Sequence, residues 1–77
     1  MMEKTIGELF KELRTSRGWS LREVEKVSGV RATYYHFVEV NNKMPSIDVI
    51  KRLSIAYDVS PLIFLETVQI HDLQEKQ

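Results

Sequence analysis

Between Ser20 and Glu39 the chain reads SLREVEKVSGVRATYYHFVE, and this stretch constrains the fold more than any other. Ser20 with Glu23 three residues on forms a reciprocal cap, in which each side chain accepts a backbone N–H that a first helical turn leaves unpaired. Val24 and Val27 then share a face at i, i+3 spacing. Gly29 stands where this helix must stop, at a position that calls for a left-handed backbone. Val30 is the apolar plug of the turn. The helix that follows carries Tyr34, Tyr35 and Val38 wholly or partly inward.

The rest of the chain supplies helices for this pair to pack against. Thr5 and Glu8 repeat the reciprocal cap and open a helix to about Arg17, whose stripe is Ile6, Leu9, Phe10 and Leu13. Arg14 and Arg17 complement the dipole at its C-terminus and are also placed to reach phosphates. Gly18 ends the helix, and Trp19 is expected to seal the core beneath the turn. The second and third helices span about Leu21–Ser28 and Ala32–Val40, and Asn42, Lys43 and Met44 form an exposed loop. Ser46 caps a fourth helix with Asp48 in its first turn and Ile47, Ile50, Leu53 and Tyr57 as its core face. Val59 plugs the next turn, and Ser60–Pro61 starts a short fifth helix, Pro61–Glu66. Residues 1–66 thus read as one all-α domain of five helices. Residues 67–77 are a tail, either a dimerisation segment or disordered, that keeps Val68, Ile70 and Leu73 among polar residues.

Seventy-seven residues allow one domain with a modest core, and 43% hydrophobic with 29% charged residues is the make-up of an ordinary soluble globular chain. The sequence has no cysteine, so disulfides and thiolate metal sites are excluded. His36 and His71 share no metal-ligand spacing, and neither a metal nor a cofactor is expected. No Ser/His/Asp grouping, carboxylate pair or glycine-rich phosphate loop suggests an enzyme or a small-molecule ligand. No apolar run approaches the ~18 residues of a membrane span and no signal pattern opens the chain, so a cytoplasmic location is expected. Net charge is zero, yet the charge is unevenly spread. Lys11, Arg14, Arg17, Arg22, Lys26 and Arg31 outnumber Glu12, Glu23 and Glu25. Toward the C-terminus, Asp58, Glu66, Asp72 and Glu75 face Lys76 alone. Such polarity can orient a protein on an anionic partner.

Two short helices around a glycine turn have the spacing of a helix-turn-helix. With IGELFKELR, SLREV…SGV, YYHFVE and VIKRLSIAYDVSP, residues 6 to 65 resemble the Xre/Cro-type helix-turn-helix family of bacterial and phage repressors. In that family the glutamate after the recognition helix is followed by Gly or Asn two residues later and by Pro six later. Glu39, Asn41 and Pro45 keep both intervals. The resemblance implies a compact repressor-like domain, with Asn41 in the left-handed conformation where the family has Gly. It also implies a sequence-specific, DNA-binding transcriptional regulator, expected to be a nucleoid-associated repressor and a homodimer on double-stranded DNA.

Carried over residue by residue, the resemblance places Ala32, Thr33, His36 and Phe37 of the third helix toward base edges in the major groove, with Arg31 at its entrance and Tyr34 at the groove edge. Arg22, Asn41, Asn42 and Lys43 are the expected phosphate contacts. Leu62, Phe64, Leu65, Ile70 and Leu73 are the expected dimer contacts, with Phe64 the residue least able to share the core with both leucines. The sequence departs from the family at three positions. Leu21 replaces a common glutamine, Glu25 fills a slot usually held by a small residue, and Val40 stands where a polar residue is common. Glu25 is expected to swing its carboxylate outward. These departures, the neutral charge and an aromatic third helix keep a second function open, a scaffold used for protein interaction as an antirepressor or co-regulator.

Overall fold

Four of the helix starts are written into the local chemistry of the chain. The computed structural model describes residues 4–67 and folds them into α1 (Ile6–Ser16), α2 (Leu21–Ser28), α3 (Ala32–Asn41), α4 (Ile47–Tyr57) and α5 (Leu62–Leu65). Thr5 and Ser20 each accept the N–H of the residue three on, and Glu8 and Glu23 return the bond to the capping residue's own N–H. Ser46 accepts from Val49 and Asp48 lies in the first turn of α4. Pro61 opens α5. Gly18 and Gly29, with φ of 69° and 80°, are the left-handed residues that let the chain leave α1 and α2.

Behind α2 and α3 lies one core. Phe10, Val24, Tyr35, Val38, Leu53 and Phe64 are fully buried, with Ile6, Leu9, Leu13, Val30, Ile50 and Tyr57 around them. Phe10 is its hub: its ring lies 4.6 Å from that of Tyr35, and Phe64 meets it edge-on at 5.9 Å. Trp19 is half-buried and stacks on Tyr57 at 5.3 Å, which is the sealing role expected of it. The Tyr35 O–H donates to the Phe10 carbonyl at 2.7 Å. Its one proton being committed there, the Tyr57 hydroxyl donates to it across 2.6 Å.

Beyond the Tyr35–Phe10 bond, two further contacts fasten α1 to α3 and its cap. Arg14 grips Glu39 in a two-pronged ion pair, Nε to Oε2 at 2.7 Å and Nη2 to Oε1 at 3.1 Å, with side chains 16% and 7% exposed. At the other end, the Gly7 N–H donates to Asn42 Oδ1 at 2.9 Å. A Cβ on Gly7 would stand 2.5 Å from the Glu39 carbonyl, so α1 packs directly on the α3 backbone.

Several expectations are corrected. The left-handed residue that closes α3 is Asn42 (φ 56°), while Asn41 is the last helical residue. A tenth helical residue moves the cap one place on, and the Asn42 side chain then reaches Gly7. Val27 is exposed, because the core face of α2 runs from Val24 to Ser28 at i, i+4. Ile47 is 63% exposed, since it lies in the first turn of α4, ahead of the buried run that starts at Ile50. On α5 the expectation is inverted. Phe64 is in the core against Phe10, and Leu62 and Leu65 point outward. Ile70 and Leu73 lie outside the described residues.

Two predictions follow from the core. Gly7→Ala should destabilise the fold by about 1–3 kcal/mol in urea unfolding, because the added methyl meets backbone. Burial pushes the Tyr35 hydroxyl well above the ordinary tyrosine range, and burial raises Tyr57 as well. A raised folded value contributes stability in full below the unfolded tyrosine value of about 10 and loses it as the pH climbs higher. Unfolding free energy should therefore fall above pH ~10 by up to about 1.4 kcal/mol per pH unit for Tyr35, a slope that Tyr35→Phe removes.

Candidate nucleic-acid interface

The core takes one side of α3 and leaves the other bare. Tyr35 and Val38 are buried at i, i+3, and Glu39 beside them is held by Arg14. A residue's neighbours on a helix lie three and four places away, so the opposite stripe runs Thr33, His36, Phe37, Val40. All four are exposed, Phe37 to 46% and Val40 to 62%. Thr33, His36 and Phe37 are the base-facing residues expected from the sequence, now on one continuous surface. Ala32 is half-buried at its head, with Arg31 exposed before it. Tyr34 is exposed but off the stripe, lining a shallow hollow with Arg31, Ser46 and Arg52. Val40 joins the base-facing residues that the sequence singles out. Its i+7 register with Thr33 is the signal that includes it.

Phe37 owes its exposure to geometry. Both neighbours at i−2 and i+1, Tyr35 and Val38, are in the core, so the ring projects away from it. An aromatic ring at nearly half exposure, beside an exposed valine, is apolar surface suited to a thymine methyl or to another protein.

The flanks divide into residues free to act and residues already engaged. Arg22 on the first turn of α2 and Lys43 after α3 are exposed. Asn41 donates from Nδ2 to the Phe37 carbonyl at 3.0 Å, and the side-chain oxygen of Asn42 holds Gly7. Leu21 is half-buried and packs on the core, which explains an apolar residue at that place. Arg14 and Arg17 are already engaged within the fold. Besides Glu39, Arg14 donates to the Trp19 carbonyl at 3.2 Å. Arg17 donates to the carbonyls of Leu13 (3.1 Å) and Tyr57 (2.8 Å) and lies 4.8 Å over the Tyr57 ring. Both arginines therefore serve the fold.

Glu25 does swing outward, but its carboxylate has a partner. Oε1 accepts the N–H of Ala32 at 3.0 Å, reaching from α2 to the first residue of α3.

Comparison with known proteins bears on this arrangement. A helix-turn-helix family model matches residues 10–64. The structure is similar to the master regulator for biofilm formation SinR in complex with DNA, with TM-score 0.71 and 34% identity over 78% of this chain and 97% of that one. It is similar as well to the N-terminal DNA binding domain of SinR from Bacillus subtilis, with TM-score 0.71 and 33% identity over 86% of this chain and 94% of that one. No curated protein matches the chain.

Removing the Arg14 guanidinium strands a nearly buried carboxylate. Arg14→Ala should cost about 3–5 kcal/mol of folding stability, measured by denaturant titration, whereas Arg22→Ala should change stability by less than about 0.5 kcal/mol.

Proposed function

The chain belongs to the Xre/Cro-type helix-turn-helix family, and we propose that it is a sequence-specific DNA-binding transcriptional regulator that reads the major groove with α3. One observation carries this reading: the stripe Thr33–His36–Phe37–Val40 is exposed on a helix whose opposite face is locked into the core. Thr33 offers a hydroxyl to a base edge or a methyl to thymine, His36 donates to guanine N7 or O6, and Phe37 and Val40 make apolar contact. Ala32 adds a methyl at the helix start. Arg31 and Tyr34 flank the entrance, and Arg22 with Lys43 takes phosphates on either side. In this role Asn41 and Asn42 present the backbone of the α3–α4 connection more than their engaged side chains. The regulator represses by occupying its site and acts in the cytoplasm; among the described residues no helix is long and apolar enough to cross a membrane.

Selection of binding sites from random duplexes with the purified protein should return a defined sequence. Against that site, Thr33→Ala, His36→Ala and Phe37→Ala should each lose about 1–3 kcal/mol while non-specific affinity holds. Arg22→Ala and Lys43→Ala should weaken binding to every duplex alike and lower the salt slope by roughly one each. The exposed Phe37 and Val40 and the zero net charge also suit the surface of an antirepressor or co-regulator. Absence of any salt-dependent DNA binding would turn the assignment to that protein-interaction role.

The regulator works as a homodimer, because one recognition helix reads too few base pairs to define a site. Two of them about 34 Å apart read a pseudo-palindrome. Support comes from Leu62, 61% exposed, and from Leu65, both apolar and outward on α5. Leu62→Asp and Leu65→Asp should give folded monomers in sedimentation at tens of micromolar, whereas Phe64→Asp should unfold the chain.

A further inference from the structure

We propose that Glu25 is a positioning residue for the recognition helix: its carboxylate, on α2, caps α3 and fixes how α3 is presented. Thr5, Ser20 and Ser46 cap α1, α2 and α4 with their own side chains. The N-cap of α3 is Arg31, which makes no side-chain cap. Among the described residues, the helix that carries the proposed base-reading stripe is thus the one long helix without a local cap.

Glu25 supplies what Arg31 lacks. Its Oε1 accepts the Ala32 N–H at 3.0 Å, while its carbonyl accepts the Gly29 N–H at 2.8 Å. One residue therefore closes α2 through its backbone and opens α3 through its side chain. Ser28 ties the turn from inside, accepting from the Val30 N–H at 3.0 Å and donating to the Val24 carbonyl at 2.6 Å. With these bonds, amides of Gly29, Val30 and Ala32 all end on α2, so the angle between the helices is set by more than the packing of Val30.

The charge has a second consequence. A helix N-terminus attracts anions, and a carboxylate already seated at α3 repels a phosphate from it. Backbone phosphates are then left to Arg22 and Lys43, and the Ala32–Thr33 end of α3 is kept for base edges. A small residue at position 25 would remove both the bond and the charge.

The proposal rests on the DNA-binding reading, and the test separates the two. Glu25→Ala, Glu25→Gln, Arg31→Ser and the double variant Glu25→Ala with Arg31→Ser are compared in two measurements. Amide hydrogen exchange in the free protein reports the cap, and the ratio of affinities for the selected and an unrelated duplex reports presentation. Glu25→Ala should stay folded, speed exchange at Ala32 by about tenfold and lower the affinity ratio at least about fivefold. Glu25→Gln keeps an acceptor oxygen and should hold the exchange rate at Ala32 within about twofold of the parent, while loss of the charge lowers the affinity ratio by less than Glu25→Ala does. Adding Glu25→Ala to Arg31→Ser should then change little, because a local cap has replaced the borrowed one. Unchanged exchange at Ala32 in Glu25→Ala refutes the cap, and an unchanged affinity ratio refutes the positioning role. A parent chain that prefers no duplex overturns the DNA reading and the positioning role together, and the exchange data still decide the cap.

Discussion

The ion pair between Arg14 and Glu39 is the contact on which the presentation of α3 depends. It joins residues 25 apart in sequence, is mostly shielded from water, and uses both prongs of the guanidinium. The third nitrogen of Arg14 holds the Trp19 carbonyl, and the Trp19 N–H returns a bond to the Arg14 carbonyl at 3.0 Å. One arginine thereby fixes the end of α1, the approach to α2 and the inner face of α3. The bond to Glu39, more than any other influence, strengthens the hold of Arg14 on its proton, and burial opposes it. Buried pairs of this kind are weak sources of net stability, and in some proteins they select one geometry over its alternatives. A helix that must meet a partner in one orientation needs the second property.

Much of this fold could be read from the sequence because its signals are local. The two reciprocal caps, the glycine at position 29 and the serine at 46 act within a single turn of chain, and each is found where its residue type demands. The errors arise where a residue has two faces to choose between. Val27 and Ile47 fit an i, i+3 pattern, but the core is narrower than the pattern, and only tertiary packing decides which edge is covered. On α5, three apolar residues crowd four positions, and the depth of the Phe10 ring selects Phe64 over the leucines. Thr33, His36 and Phe37 of the exposed α3 stripe were legible through the family resemblance, and Val40 was not. The engagement of Arg14, Arg17 and Asn42 was not, since their partners at Glu39, Tyr57 and Gly7 are distant in sequence. Glu25 was legible as an outward carboxylate, but its partner Ala32 became visible only with the turn built.

Zero net charge takes on a different sense once the internal pairs are removed from the tally. Arg14 and Arg17 are spent on the fold, and Arg52 pairs with Asp48 at 2.9 Å. The cations left exposed near α2 and α3 are few, Arg22, Lys26, Arg31 and Lys43 among them. In the proposed mode, binding through so small a set would draw less on counterion release and more on shape and apolar contact at Phe37 and Val40. The proposed dimer would double that small footprint without adding charge to either subunit.

The most direct test of this account is amide chemical-shift mapping of the labelled protein titrated with its selected duplex. Shifts should concentrate on Thr33, His36, Phe37 and Val40 and on the Leu21–Arg22 start of α2, while Phe10, Leu53 and Tyr57 stay in place. Shifts confined to α4 and α5, or none at duplex concentrations that saturate a specific site, would contradict it.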